Sequence, residues 1–250
     1  MIMKLPLSCL VLLVSSVFAE STKMLEQWTF SETDGTSLSL MLSDKGTPLA
    51  SVDRPSARVK DGKLWVDAEG EYDSIYLINE FAGKPFSSGV YQVNWTFTNA
   101  AFAGTHGVKG KANAGFDIRD TGDTRYKGND DVVLGGVRLS YEKKAIEIQY
   151  QDSLQERYTE IALVDRVVLP EPLHVRILFD LDRSGEPGSM QVFLRLGEEE
   201  EINPLADGII PKGVQLKGFR LTQQITNGGS NWQQGDSVGM DNFTLSRVAP

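Results

Sequence analysis

Alternation of apolar and polar residues is the dominant pattern of this chain. It is clearest in residues 89–98, where four apolar side chains fall on one face of an extended segment: Tyr91, Val93, Trp95 and Phe97. A period of two is the signature of a half-buried β-strand. The pattern predicts that these four side chains are buried. It also predicts that Gln92, Asn94 and Thr96 face away from the core.

Ten further segments predict strands, and turn residues such as Asp61-Gly62 separate them. These segments are 63–68, 74–78, 115–119, 137–141, 145–150, 160–163, 174–179, 190–195, 218–222 and 241–246. None of the chain shows apolar residues at helical spacing over three turns. Many short strands without a linker between them predict one all-β domain, a sandwich or jelly roll.

The N-terminus has the features of a secretory signal peptide. Lys4 precedes a mostly apolar run from Leu5 to Phe18, and Ala19 provides a small residue before Glu20. We expect cleavage before Glu20, so that 1–19 is the signal and 20–250 the mature domain. The apolar run is shorter than the roughly 20 residues that span a bilayer, and no later segment is apolar enough to span a membrane. The chain is therefore predicted to be secreted, periplasmic or extracellular, without membrane insertion after cleavage.

Charge narrows the range of partners. The chain has 25 Lys and Arg against 34 Asp and Glu, a formal net charge of −9. Loss of Lys4 with the signal makes this −10, and loss of Cys9 leaves no cysteine for a disulfide. Nucleic acids and anionic membranes require Lys/Arg-rich surfaces, so both are excluded as general partners.

A resemblance to known jelly rolls comes from three segments. Residues 173–180 contain His174 and end in Asp180, and a turn with Gly185 leads into residues 190–197. This resembles the central hairpin of laminin-G-like and legume-lectin-like domains, and residues 28–35 and 239–246 resemble their first and last strands. The resemblance implies a concanavalin A-like jelly-roll β-sandwich. That superfamily contains lectins, carbohydrate-binding modules, glycoside hydrolases and lyases, which implies a polysaccharide or glycan partner.

The same resemblance implies a structural calcium ion shared by an early acidic residue and an aspartate of the last strand. Glu32 and Asp241 occupy the matching positions. A second group of carboxylates lies in a glycine-containing stretch and comprises Asp117, Asp120, Asp123, Asp130 and Asp131. Without fixed ligand spacing, this group is interpreted as an acidic loop rather than a calcium site.

Catalytic candidates depend on which reaction is considered. The Glu-x-Asp-x-x-Glu strand of jelly-roll glucanases is absent from the sequence, which argues against retaining hydrolysis. Jelly-roll polysaccharide lyases instead neutralise a uronate carboxylate with Arg, Gln or Asn and remove a proton with Tyr or His. Suitable residues face away from the apolar stripes: Asn94, Arg119, Arg138, Gln149, His174 and Arg176. His174 is interpreted as scaffold, because the matching histidine of laminin-G-like domains is usually structural.

Sugar binding also requires exposed aromatic rings beside polar groups. Trp232 lies between Asn231 and Gln233 in a polar, glycine-rich stretch, and Tyr126 is a second candidate. Trp65 and Trp95 lie in strand patterns and are predicted to belong to the core.

These observations leave three functions open. A non-catalytic, polysaccharide-binding jelly roll is the leading hypothesis. A lyase acting on a uronate-containing polysaccharide is the alternative, and an envelope or matrix structural protein is the third. Clustering of Arg138, Gln149, His174 and Arg176 in one groove would favour the enzyme, whereas their separation would favour binding or structure.

Overall fold

The described part of the chain folds mainly into β-strands. The computed structural model describes residues 22–67, 75–83, 85–101, 112–120, 133–142, 145–152, 157–164, 169, 171–181, 185–224 and 236–249. One short 3-10 turn, Leu38–Leu40, interrupts the strands of this part of the chain. The strands are β1 Thr22–Trp28, β2 Ala57–Lys60, β3 Lys63–Asp67, β4 Ile75–Glu80, β5 Gly89–Ala101, β6 Ala112–Arg119, β7 Val133–Glu142, β8 Ala145–Asp152, β9 Arg157–Val164, β10 Leu173–Leu181, β11 Gly188–Leu196, β12 Ile202–Ile210, β13 Gly218–Gln224 and β14 Ser237–Val248. Within the described ranges, no helix is long and apolar enough to cross a membrane.

Two antiparallel sheets form the molecule. The larger has the order β12-β11-β10-β5-β14-β3-β2, with β1 also pairing with β14, and the smaller has the order β4-β13-β6-β7-β8-β9. Strands β10 and β11 of the larger sheet lie against β7 of the smaller, so the sheets face each other. This is a jelly-roll β-sandwich, which confirms the predicted fold class.

All eleven segments predicted to be strands are strands in the structure. Strands β2 and β12 were not predicted. The first has only four residues, and the second, with the sequence Ile-Asn-Pro-Leu-Ala-Asp-Gly-Ile-Ile, does not alternate regularly. Strand β1 was anticipated only at its last residue, Trp28, through the resemblance to known jelly rolls.

The core lies between the two sheets and is rich in aromatic rings. Strand β5 contributes the four apolar residues that the alternation predicts, and all of them are buried, while Gln92, Asn94 and Thr96 are only half-buried. The register of β5 is therefore confirmed. The centre of the core is an aromatic cluster contributed by both sheets: Trp28, Phe81, Trp95, Phe116, Phe219 and Phe243.

Trp65 does not belong to this core, so that prediction was wrong. Leu64 and Val66 of β3 are fully buried opposite Met240 and Val238, whereas Trp65 between them is half-buried on the outer face. Successive residues of a strand point to opposite faces. Because Leu64, Trp65 and Val66 are all apolar, the sequence alone did not show which of them faces inward.

Candidate active site

The six residues considered for a lyase site lie on two different sheets. Asn94 is on β5 and His174 and Arg176 are on β10, all in the larger sheet. Arg119, Arg138 and Gln149 are on β6, β7 and β8 of the smaller sheet. In both sheets the described side chains of this set alternate with core residues and so face away from the core. A single polar face built from all six residues is therefore not formed.

The three residues on the larger sheet contact their neighbours there. The ring Nδ1 of His174 lies 3.0 Å from Thr96 Oγ1, and Asn94 Nδ2 donates to Thr244 Oγ1 at 3.2 Å. Arg176 forms a two-bond ion pair with Glu201, and its guanidinium carbon lies 3.8 Å from the Phe193 ring centroid. These contacts hold strands and a hairpin together, as a scaffold does.

Partial burial lowers the pKa of His174, and the positive charge of Arg195 lowers it further, against the weaker opposing influence of Glu198. The imidazole is therefore neutral at neutral pH.

A histidine whose pKa is lower in the folded than in the unfolded state stabilises the fold at pH values above its unfolded pKa, near 6.5. This stabilisation is lost as the pH falls through the pKa of the folded protein. We expect wild-type protein to lose stability between about pH 6.5 and pH 5. His174→Gln should lose less, as measured by urea-unfolding midpoints across this range. Identical pH dependence of stability in wild type and His174→Gln would contradict a lowered pKa of His174.

The smaller sheet carries a buried charge cluster on the face turned away from the core. Asp117 of β6 lies opposite Arg220 of β13 and close to Arg138 of β7. Arg138 donates from Nε to Oδ1 at 3.1 Å and from Nη2 to Oδ2 at 2.8 Å, and Arg220 donates from Nε to Oδ2 at 2.9 Å. Asp117 is 1% exposed, and each arginine is 6% exposed. One carboxylate thus orients two guanidinium groups.

The electrostatics of this arginine cluster (Asp117, Arg119, Arg138 and Arg220) keep its carboxylate ionised. Burial alone would raise the pKa of Asp117, but the charges and hydrogen bonds of Arg138 and Arg220 outweigh burial and hold this pKa well below its usual range. Asp117 therefore stays ionised. Arg119 is also buried on this face, and the neighbouring Asp120 forms an ion pair with Lys217 at 3.3 Å.

Two glycines and a buried threonine hydroxyl lie beside the arginine cluster on this face. A Cβ on Gly136 would overlap Asp117 Oδ1, and a Cβ on Gly115 would overlap the carbonyl oxygen of Val137 and crowd Arg138. Only glycine allows such close approach. Thr222 lies opposite Gly115, and its Oγ1 is buried without a hydrogen-bond partner among the described residues. The backbone register places Gln149 opposite Arg138.

Three residues of this face were missed as functional candidates: Asp117, Arg220 and Thr222. Asp117 had been assigned to an acidic loop, but it lies within β6 and pairs with arginines, so that assignment was wrong. The alternation of β13 contained a usable signal, because Phe219 and Leu221 are core residues and Arg220 and Thr222 must face the other way. The convergence of β6, β7 and β13 depends on strand order, which the sequence did not provide.

The predicted sugar-binding residues Trp232, Tyr126, Asn231 and Gln233 lie outside the described residues. Their role stays a prediction.

The predicted calcium ligands lie in the described part of the chain. Glu32 Oε1 accepts the backbone N–H of Leu42, and Oε2 is buried without a described partner. Both oxygens of Asp241 accept hydrogen bonds from Asn242, and burial raises the pKa of Asp241. Calcium takes six to eight oxygens, and the described residues contain no group of three acidic, His or Cys side chains that could hold a metal. The shared ion stays a prediction.

No protein-family model and no curated protein matches the chain. Among solved structures, the chain is similar to a mutant of the alginate lyase Aly36B in complex with alginate tetrasaccharide, with 12% identity, a TM-score of 0.57, and 91% of this chain and 100% of that chain covered. The marine alginate lyase from Aplysia kurodai matches with 11% identity, a TM-score of 0.51 and coverage of 91% and 99%. The marine alginate lyase AlyA1 from Zobellia galactanivorans matches with 8% identity, a TM-score of 0.51 and coverage of 90% and 95%. At this identity the likeness concerns the fold: over most of its length the chain has the jelly-roll architecture of these three lyases.

Proposed function

We propose that the chain is a polysaccharide lyase that cleaves a uronate-containing polysaccharide, such as alginate, on the outer face of its smaller sheet. The observation that carries this proposal is the arginine cluster, in which one buried carboxylate orients two buried guanidinium groups on the outer face of the smaller sheet. Oriented guanidinium groups are suited to the recognition of a carboxylate. The common architecture with three alginate lyases adds support for this reaction class.

The chemistry assigns a definite task to the arginines. In β-elimination, a base removes the proton α to the uronate carboxylate, a carbon–carbon double bond forms, and the carbon–oxygen bond of the leaving sugar breaks as its oxygen takes up a proton. Negative charge develops on the carboxylate during proton removal. Preoriented guanidinium groups stabilise such charge most strongly where water is excluded. Asp117 supplies the orientation, because its carboxylate accepts hydrogen bonds from both guanidinium groups.

The proton acceptor must be a different group, because His174 lies on the other sheet. The register of the smaller sheet places Tyr76 opposite Thr222, and it places Tyr158 opposite Gln151, the residue paired with Gly136. We propose one of these two tyrosines as the base and expect a single Tyr→Phe substitution to abolish turnover.

The test is to measure unsaturated uronate product, by its ultraviolet absorbance, from alginate and from glucuronan. We expect wild-type protein to form product, and Arg138→Lys or Arg220→Lys to lower kcat by about 100-fold to 1000-fold, the loss typical of removing one charge-stabilising donor. Lysine keeps the charge but loses the two-bond geometry.

The matched control is Arg176→Lys, which changes another carboxylate-paired arginine on the opposite sheet. Its kcat should stay within about twofold of wild type, because exposed ion pairs contribute little and this one is remote from the proposed site. Binding of polyuronate without any product would contradict the lyase proposal and restore the non-catalytic binding module. Equal losses in Arg138→Lys and Arg176→Lys would show that the arginine cluster has no special role.

A further inference from the structure

Thr222 of β13 carries a buried hydroxyl beside the arginine cluster. The residue is 0% exposed, and its Oγ1 has no hydrogen-bond partner among the described residues. A buried hydroxyl without a partner costs free energy, whereas an apolar side chain of the same shape would not. Valine has nearly that shape and is favoured in strands, so stability alone would favour valine at this position. The hydroxyl therefore indicates a hydrogen bond to a group outside the described chain.

The position of Thr222 in the smaller sheet connects it with the proposed site. Thr222 follows Arg220 by two residues on the same strand, so the two side chains share the outer face. In the register, Thr222 lies opposite Tyr76 on one side and opposite Gly115 on the other. Gly115 in turn lies opposite Arg138. The hydroxyl thus lies between one of the two tyrosines proposed as base and an arginine of the cluster.

Gly115 explains part of the isolation of this hydroxyl. Directly opposite residues of paired strands place their side chains next to each other, but glycine has no side chain to offer Thr222. The aliphatic stem of Arg138 approaches Gly115 instead, since a Cβ built on Gly115 would lie 3.1 Å from Arg138 Cγ. Methylene groups neither donate nor accept hydrogen bonds, and the guanidinium end of Arg138 pairs with Asp117. The position opposite Thr222 on β6 therefore gives it no side-chain partner.

We propose that Thr222 is a specificity-determining residue of this site, whose hydroxyl donates a hydrogen bond to the carboxylate of the bound uronate. The choice of a uronate as ligand rests on the proposed function. A carboxylate has about four lone-pair positions, so one that is held by guanidinium groups can still accept from a neutral donor. Because Thr222 is fully covered in the structure, binding must include rotation of the side chains around it, a common change at binding sites. A hydrogen bond made at this depth is strong, because water is excluded from it.

The experiment compares Thr222→Val with wild type in two measurements. These are the urea-unfolding midpoint without substrate and the kinetics on sodium alginate and glucuronan, followed by the absorbance of unsaturated product. The midpoint of Thr222→Val should equal or exceed that of wild type, because valine removes an unpaired buried hydroxyl. KM should rise by about tenfold to 100-fold, the loss of a hydrogen bond to a charged group. The value of kcat should stay within about threefold of wild type, since the carboxylate is bound before and during the reaction.

Thr98→Val is the matched control, because Thr98 Oγ1 is also buried without a partner among the described residues, but on β5 of the larger sheet. Its unfolding midpoint should likewise not fall, and its KM and kcat should equal those of wild type. Thr222→Ser keeps the hydroxyl and should keep KM within about threefold of wild type.

An unchanged KM in Thr222→Val would overturn the role of Thr222 and leave the lyase activity standing. A lower unfolding midpoint in Thr222→Val than in Thr98→Val would also overturn it, because the hydroxyl would then be bonded within the fold. If wild type forms no product, calorimetric titration with sodium alginate takes the place of the kinetics. Weaker binding by Thr222→Val than by wild type would then overturn the lyase activity and support the Thr222 contact. Equal binding by the two proteins, or no binding by either, would overturn both.

Discussion

Asp117→Asn should destabilise the protein by about 3–5 kcal/mol, the typical cost of removing one partner of a buried ion pair. Asp117 is 1% exposed, and its carboxylate accepts hydrogen bonds from both Arg138 and Arg220. An asparagine at 117 would remove the negative charge that these two buried guanidinium groups share. If the arginine cluster is the active site, the same variant should also lose turnover, because neither guanidinium would remain oriented.

The measurement is urea unfolding followed by tryptophan fluorescence, with Glu201→Gln as the matched control. Glu201 also forms a two-bond ion pair with an arginine, but the side chains of that pair, Arg176 and Glu201, are 27% and 31% exposed. Pairs close to solvent contribute about 1 kcal/mol or less. A loss in Asp117→Asn no larger than in Glu201→Gln would show that the buried pairings do not stabilise the fold.

The pH dependence of stability gives an independent check of Asp117. Its pKa is lower in the folded protein than the unfolded value near 3.9, so ionisation contributes stability above about pH 4. That contribution is lost as pH falls below the unfolded pKa towards the folded one. Wild-type protein should therefore lose more stability than Asp117→Asn between about pH 5 and pH 2. Parallel curves of stability against pH for wild type and Asp117→Asn would contradict the pairing of Asp117 with Arg138 and Arg220.

The fold was largely predictable because the chain alternates strictly on its central strands. The alternation of apolar and polar residues in 89–98 correctly predicted four core side chains, and the same alternation located eleven strands. The alternation failed at Trp65, because three consecutive apolar residues do not show which of them face the core. It also missed β12, where Pro204 and Gly208 interrupt the pattern.

The candidate site was only partly predictable, because periodicity identifies a face but not the sheet to which that face belongs. His174, Arg176, Arg119 and Arg138 were all recognised as outward-facing, yet the first two and the last two lie on different sheets. Asp117 was missed as a partner of Arg220 because these residues are 103 positions apart in the chain and become neighbours only through the pairing of β6 with β13.

The separation of the candidate residues bears on the proposed function. Separation of Arg138, Gln149, His174 and Arg176 was expected to favour binding or structure, and the first two do lie on a different sheet from the last two. The lyase proposal therefore rests on Arg138 together with Asp117 and Arg220, which were not among the lyase candidates. The acidic net charge argued against a polyanionic substrate, and the lyase proposal sets against it the two buried guanidinium groups that Asp117 orients.

Phe243→Ala should have an effect on stability as large as that of Asp117→Asn, through the core rather than through charge. Phe243 of β14 stacks on Phe116 of β6 with ring centres 4.2 Å apart and an interplanar angle of 11°. It also meets Phe219 of β13 at 4.8 Å and Trp28 of β1 at 5.4 Å. Strands β6 and β13 belong to the smaller sheet and β1 and β14 to the larger, so this ring joins the two layers.

Truncation of Phe243 would leave a cavity between the sheets that neither sheet can close without moving, and buried Phe→Ala changes typically cost about 3–5 kcal/mol. Phe243→Leu refills most of the volume and should lose less than half as much, so the two variants separate cavity formation from loss of aromatic contacts. Urea unfolding of both variants, with Ile209→Ala expected to stay within about 0.5 kcal/mol of wild type as a surface control, measures the difference. If Phe243→Ala were no more destabilising than Ile209→Ala, the aromatic cluster could not be what holds the two sheets together. Equal losses in Phe243→Ala and Phe243→Leu would instead assign the stabilisation to contacts between the rings, because a filled cavity would then have made no difference.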